Sequence, residues 1–252
     1  MTSILTGKTA LVTGGGIGIG SGIAVALAGA GARVAITYRT HAPEEALMAE
    51  LRELSGAEPV AIALDATSET DVVAAVETLR TELGSIDILV NNIGGLIKRS
   101  PIREMPFELW NEVMSVNLDS MFLVTHHLLP ILNANGRIIN VASLAGRNGG
   151  HPGATAYATS KAAIFGFTRG LSKELAPDGI TVNALAPGFI EATPFHDTFT
   201  TAESKAATVA SIPVGRAGTP ADVATAAVWL ASPDTGFITG TVIDINGAQY
   251  FG

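Results

Sequence analysis

The chain has 252 residues, with 15 Lys and Arg against 23 Asp and Glu, a formal charge of −8, and no cysteine. That length can bury one substantial core, the negative balance disfavours unassisted binding to nucleic acid or an anionic membrane, and the missing thiols exclude disulfides and thiolate metal centres. Apolar residues make up 47% and charged ones 15%. This suits a compact single domain over residues 1–252 rather than a disordered chain. The opening MTSILTGKTALVT lacks a basic stretch followed by a long apolar one, so a cytoplasmic protein without targeting or membrane segments is expected.

In chain order, the first β-branched run, TALVT at 9–13, leads straight into Thr13, Gly14, Gly15, Gly16, Ile17, Gly18, Ile19 and Gly20. SGIAVALAGAGARVAI then reads as a helix followed by a second strand, RVAIT at 33–37. Glycines in such a loop let the backbone turn tightly and approach a pyrophosphate, while the helix start offers aligned N–H groups. Gly14, Gly16, Ile17, Gly18 and Ile19 are therefore candidate dinucleotide contacts. The second strand ends in Tyr38, Arg39 and Thr40, with no Asp or Glu to accept from a free ribose 2′ hydroxyl. Arg39 and Thr40 can donate to a 2′ phosphate, which favours NADP(H). NAD(H) stays open if Arg39 is only a solvated loop residue.

The third run, PVAIAL at 59–64, ends at Asp65 and Ala66, expected near an adenine. The fourth, IDILVN at 86–91, ends at Asn91, Asn92, Ile93 and Gly94, expected beside the ribose and nicotinamide. RIINVA at 137–142, ITVNALA at 180–186 and TVIDIN at 241–246 complete seven runs separated by amphipathic stretches. Uniformly apolar strands alternating with helices predict an α/β, doubly wound, Rossmann-type fold, a seven-stranded parallel sheet flanked by helices on both faces. Ligands then sit beyond the carboxyl ends of the strands. Two segments read as helices with more than one apolar face, 106–132 and 154–176. In the first, Leu109, Val113, Val116, Met121, Phe122, Leu123 and Val124 exceed one core stripe. A second face packed on another subunit of a homo-oligomer, dimer or tetramer, is the expectation; full burial within one chain is the alternative.

Tyr157 precedes Lys161 by one helical turn, and Ser143 lies fourteen residues upstream at the end of GRIINVAS. A phenol titrates near ~10, and lowering it by about three units needs roughly 4 kcal/mol, which a neighbouring ammonium could help supply. Ser143 would then hold a substrate oxygen beside that phenol. Charge growing on a carbonyl oxygen during hydride transfer needs both a proton donor and a fixed hydrogen bond, and no metal.

With TGGGIGIG at 13–20, NNIG at 91–94, Asn117 in VMSVNL, Ser143, YATSK at 157–161 and the Pro187–Gly188 pair, the sequence resembles the short-chain dehydrogenase/reductase family over almost its whole length. The resemblance implies that Ser143 orients the carbonyl or hydroxyl and that Tyr157 is the acid or base. It implies that Lys161 lowers the tyrosine pKa and holds the nicotinamide ribose, and that Asn117 anchors a water in a proton relay. Pro187, Gly188, the Ile190 backbone and Thr193 would meet the nicotinamide carboxamide side. Two positions depart from the family pattern: Ile17 stands where NADP(H) users often carry a basic residue, and Ala192 where a Thr is usual, leaving Thr193 as its substitute.

Residues 189–212 mix Phe with small polar residues after Gly188 and read as a substrate lid. Lys98, Arg99, Arg147, Asn148, His151 and His196 point to a polar or anionic small-molecule carbonyl or alcohol, such as a sugar derivative or keto acid. The family also holds 3-oxoacyl-carrier-protein reductases, which usually carry basic residues at the outer ends of the two long helices. Here LNANG at 132–136 is uncharged, with only Arg169 and Lys173 as docking candidates. A non-catalytic NADP(H) sensor is the remaining alternative, although a sensor needs no tuned phenol.

Overall fold

The computed structural model describes residues 3–191 and 202–252. Seven strands, β1 (Thr9–Val12), β2 (Arg33–Tyr38), β3 (Val60–Ala63), β4 (Ile86–Asn91), β5 (Leu132–Val141), β6 (Thr181–Pro187) and β7 (Val242–Ile245), form one sheet in the order β3-β2-β1-β4-β5-β6-β7. Every pairing is parallel. Alternate side chains explain the uniformly apolar runs. Ala10 and Val12 of β1, with Val34 and Ile36 of β2, enter the core beneath α1 (Gly18–Gly29), α2 (Glu45–Ser55) and the later α9 (Pro220–Ala231). Leu11 and Ala35 enter the opposite core with α3 (Glu69–Leu83) and α5 (Ser120–Leu128). Both faces of the strands are thus withdrawn from water, as the reading of doubly covered strands requires.

The expected helix at 106–132 is interrupted. It consists of α4 (Phe107–Met114), a π-helical turn at Ser115–Asp119, α5, and a 3-10 turn at Leu129–Ile131 that contains Pro130. Proline has no amide with which to continue an α-helix. β5 begins at Leu132, earlier than the apolar run suggests, because Leu132 pairs with Ile86 across a register irregularity. The second long helix, α7 (Thr155–Leu175), matches its expected span closely, and a short α6 (Ala145–Asn148) precedes it. α8 (Ala202–Ala210) lies ahead of α9. No described helix is long and apolar enough to cross a membrane.

Strand β1 has β2 on one side and β4 on the other, so the direction of chain progression reverses at that point. The loops leaving β1 and β4 diverge there and open a crevice at the carboxyl ends of the strands.

Candidate active site

The crevice has a volume of about 1200 Å³ and is lined by residues from β1 through to the C-terminal segment, including Gly14, Tyr38, Gly94, Ser143, Tyr157, Lys161, Gly188 and Gln249. At its nucleotide end the backbone is bare because side chains do not fit. A Cβ at Gly15 would lie 2.5 Å from Ile36 Cγ2, and one at Gly20 would run into the Gly14 carbonyl. Gly14 and Gly18 hold φ of +62° and +58°, where L side chains are strained. Helix α1 starts at this loop with no side-chain cap on Ile17 and no acid in its first turn. Its first amides are therefore left for an anion. Gly14, Gly16, Ile17, Gly18 and Ile19 all line the crevice. The loop is fixed from β4: Asn92 Nδ2 donates to the carbonyls of Thr13 and Gly14 at 3.0 and 3.2 Å. This close backbone, with free helix N–H groups, fits a dinucleotide pyrophosphate.

Tyr38, Arg39 and Thr40 line the same end, joined by His41, which the sequence reading overlooked although it follows directly. Arg39 is not free: its Nη2 donates to Asp65 Oδ2 at 2.9 Å. Asp65 also accepts from the Thr67 amide and hydroxyl at 3.0 and 2.6 Å, and these hydrogen bonds, Thr67 foremost, hold its carboxyl below the usual carboxylate range. Asp65 and the buried Ala66 are not among the residues lining the crevice, and Asp65 caps its own loop and braces Arg39. Asn91 does not line it either. Its side chain turns beneath the sheet, donating to Thr125 Oγ1 at 3.0 Å and Asn140 Oδ1 at 2.9 Å. Asn92 and Gly94 are the residues of that turn that reach the crevice.

At the substrate end, three elements converge. Ser143 follows β5, where its Oγ accepts the Ala145 amide at 3.1 Å, and its hydroxyl is hydrogen-bonded to that of Tyr157. Lys161, one turn along α7 from Tyr157, is 3% exposed; its Nζ donates to the Val141 carbonyl at 2.9 Å and sits 5.9 Å from the Tyr157 ring centroid. Gly146 makes this packing possible, since a Cβ there would lie 2.8 Å from the Lys161 carbonyl carbon. Burial governs both groups. Burial pushes the Tyr157 pKa above its ordinary 10.0, the hydrogen bond to Ser143 opposing, and burial lowers Lys161 to about 8. Desolvation penalises the charged form of both groups.

Asn117 occupies the π-helical turn and is fully buried. Its Nδ2 donates to Gly95 O at 2.8 Å and to Val113 O at 2.9 Å, and its Oδ1 accepts the Gly95 amide at 3.0 Å. Val113 O is the acceptor that the Asn117 amide would take in an unbroken α-helix, so the side chain replaces a backbone bond that the π-turn gives up. Both amide hydrogens are used within the fold, and the side chain does not line the crevice. It clamps the loop after β4. Gly94 is wedged beside it: a Cβ there would be 2.7 Å from both Asn117 Oδ1 and Lys161 Nζ.

The sequence matches the family described as Enoyl-(Acyl carrier protein) reductase over residues 14–247. It is 39% identical over 251 residues to the 3-oxoacyl-[acyl-carrier-protein] reductase FabG of Vibrio harveyi, covering 98% of each chain. A short-chain dehydrogenase/reductase of Serratia marcescens, in a mutant form, superposes with a TM-score of 0.90 at 32% identity, over 97% of this chain and 98% of that one. The chain belongs to the short-chain dehydrogenase/reductase family. It is accordingly an oxidoreductase acting on carbonyl and alcohol groups. Two other family structures differ in cofactor. An NADH-dependent reductase A1-R′ responsible for alginate metabolism has a TM-score of 0.89 at 32% identity, covering 99% of this chain and 100% of that chain. A blue fluorescent protein from a metagenomic library, in complex with NADPH, has 0.86 at 34%, covering 98% and 99%.

In this short-chain dehydrogenase/reductase, Pro187, Gly188 and Ile190 line the crevice beside Phe189. Ile190 is held by a bridge to Gly218, and Phe189 packs with Ile212 and Ala217. Thr193 and His196, with Ala192, lie outside the described residues. Within the expected lid, α8 brings Thr208 to the crevice, and Gln249 reaches it from the C-terminal segment. No pattern in the sequence marks those two. Of the polar candidates, Arg99, Asn148 and His151 line the crevice. Lys98 is exposed and does not. Arg147 turns away, donating to both Asp244 carboxylate oxygens at 3.2 Å with its guanidinium 4.7 Å over the Phe165 ring. Among the described residues no cluster of three His, Asp or Glu could hold a metal ion.

Proposed function

We propose that the chain is an NADPH-dependent reductase of 3-oxoacyl compounds. The observation that carries this reading is the full-length relation to a 3-oxoacyl-[acyl-carrier-protein] reductase, 39% identity over 98% of both chains. It outweighs the sugar derivative, for which no separate feature of the crevice speaks. A neutral Tyr157 phenol can give a proton to the substrate oxygen where charge develops during reduction. When bound, the cofactor supplies the hydride. Ser143 holds the substrate oxygen against Tyr157, and Lys161 sits one helical turn further along α7, 5.9 Å from the Tyr157 ring centroid. A sensor without turnover would have no use for that assembly.

Arg39, Thr40 and His41 support NADP(H): they gather donors at the end of β2, and Asp65 positions the Arg39 guanidinium. Carrier-protein delivery has weaker support. Arg169 and Lys173 are exposed, but so are Glu174 and Asp178 beside them, so no basic patch forms there. A second copy of the chain is the expected neighbour of α4 and α5, where Phe107 and Phe122 are 70% and 49% exposed.

The test is NADPH oxidation by the purified protein with an acetoacetyl thioester. Turnover is expected with NADPH above NADH, and Arg39→Ala should raise the KM for NADPH about tenfold, one lost phosphate contact, with little change for NADH. A protein that binds NADPH tightly and reduces no 3-oxoacyl compound refutes the reading.

A further inference from the structure

Most arginines with buried guanidinium nitrogens in this fold have acceptors. Arg137 donates to the carbonyls of Asn135, Gly136, Ser232 and Pro233, and Arg147 to Asp244. Arg99 differs. Its Nη1 is buried with no hydrogen-bond partner among the described residues. A buried donor left unpaired opposes folding, and a cationic one does so strongly, so such a group persists where something else completes it.

The position of Arg99 indicates what completes it. It lines the same crevice as Ser143, Tyr157 and His151. Its loop is rigidly seated: Asn117 grips Gly95 from one side, and on the other the Ser100 amide donates to Gly153 O at 2.9 Å. A Cβ on Gly153 would already lie 3.3 Å from Arg99 Cβ, so the arginine stem is packed against the segment that leads into α7. The described lining has one carboxylate, Glu44, and it sits with His41 and Pro43 at the nucleotide end. The substrate end has Arg99, His151 and Lys161 and no described acid. A locally cationic crevice on a chain of net charge −8 is a focused attraction for an anion rather than a general surface property.

We propose that Arg99 is the specificity residue for a carboxylate on the substrate, so that the enzyme acts on a 3-oxo acid whose free carboxylate pairs with the guanidinium while its ketone meets Tyr157 and Ser143. This rests on the 3-oxoacyl reading and adds the free 3-oxo acid to the thioester as a substrate. The planar guanidinium presents parallel N–H donors that match a carboxylate, and the crevice provides the low dielectric in which such a pair is strong.

The experiment compares acetoacetate with its neutral ethyl ester as substrates for the wild type, Arg99→Gln and Arg99→Lys, with NADPH. Arg99→Gln should raise the KM for acetoacetate about 30-fold, as expected for one charge-assisted pair, with kcat within about threefold. The ester kinetics should not change, and Arg99→Lys should recover part of the loss. If Arg99→Gln impairs acid and ester alike, or the wild type reduces the ester and not the acid, the proposal is overturned while the 3-oxoacyl reading stands. Calorimetric titration of the NADPH complex with acetoacetate covers a wild type that turns over neither compound. Binding that Arg99→Gln abolishes then keeps the guanidinium–carboxylate contact but overturns turnover of a 3-oxo acid along with the 3-oxoacyl reading, and absent binding overturns the contact as well.

Discussion

At the nucleotide end the crevice is walled by backbone left bare by a glycine loop, with Gly14, Gly16 and Gly18 at its surface, all within one strand, loop and helix. At the substrate end it is walled by side chains, Ser143, Tyr157, Lys161 and Arg99, delivered by β5, α7 and the loop after β4. The first is local and tolerates almost no added atom. The second is assembled over long sequence separations and tolerates shape changes, but it depends on charge and protonation. Damage to the two ends should therefore differ in kind: steric and stability-linked at one, chemical at the other.

The sharpest separation is expected from Tyr157→Phe. Loss of the proton donor should lower kcat by about a thousandfold, while NADPH fluorescence still reports binding and thermal unfolding is little changed. Retention of more than a tenth of the turnover would remove Tyr157 from its role. Gly15→Ala should act in the opposite way. Ile36 is fully buried and its Cγ2 lies 2.5 Å from where the new methyl must go, so overpacking should cost about 1–3 kcal/mol and weaken NADPH binding. Adding Ile36→Ala should recover part of the affinity; if the single variant binds NADPH normally, the bare-backbone account of that end fails.

The smallest effect is a pH dependence of stability confined to the substrate end. Lys161 titrates at about 8 in the fold against 10.5 as an ordinary lysine. Between those values the unfolded chain holds a proton that the folded protein has released, so the ligand-free protein gains stability as pH rises from about 8 toward 10. Tyr157, shifted upward, contributes only above its ordinary range. Denaturation midpoints should rise across this interval in the wild type and stay flat for Lys161→Met, which should also be the more stable protein at neutral pH. Equal slopes in the two proteins would show that the buried amine is not the cause.

The same contrast explains what the sequence disclosed. Seven strands and their doubly covered character were legible because burial on both faces leaves long apolar runs, and the glycine loop because its chemistry is contiguous. The Tyr157, Lys161 and Ser143 convergence was readable from helical spacing and a strand end. The sign of the Tyr157 shift was not, since it depends on desolvation in a crevice formed by distant segments. Asn91 and Asn92 are neighbours of one type, and only the strand pleat decides that the first turns beneath the sheet and the second faces the crevice. Arg39 looked free because its partner Asp65 is distant in sequence, and Arg147 looked available because its partner Asp244 is more distant still. The π-turn leaves no trace in periodicity, so the clamp that Asn117 places on Gly95 was not legible in the sequence.

That turn couples two surfaces of the molecule. Asn117 fastens the loop bearing Arg99 to a helical segment whose outer side carries Phe107 and Phe122. A sub-ångström slide of the segment, such as docking against a neighbour would impose, would pull on Gly95 through two short hydrogen bonds and re-aim the guanidinium. Quaternary contacts and substrate choice would then be set by the same mechanical link.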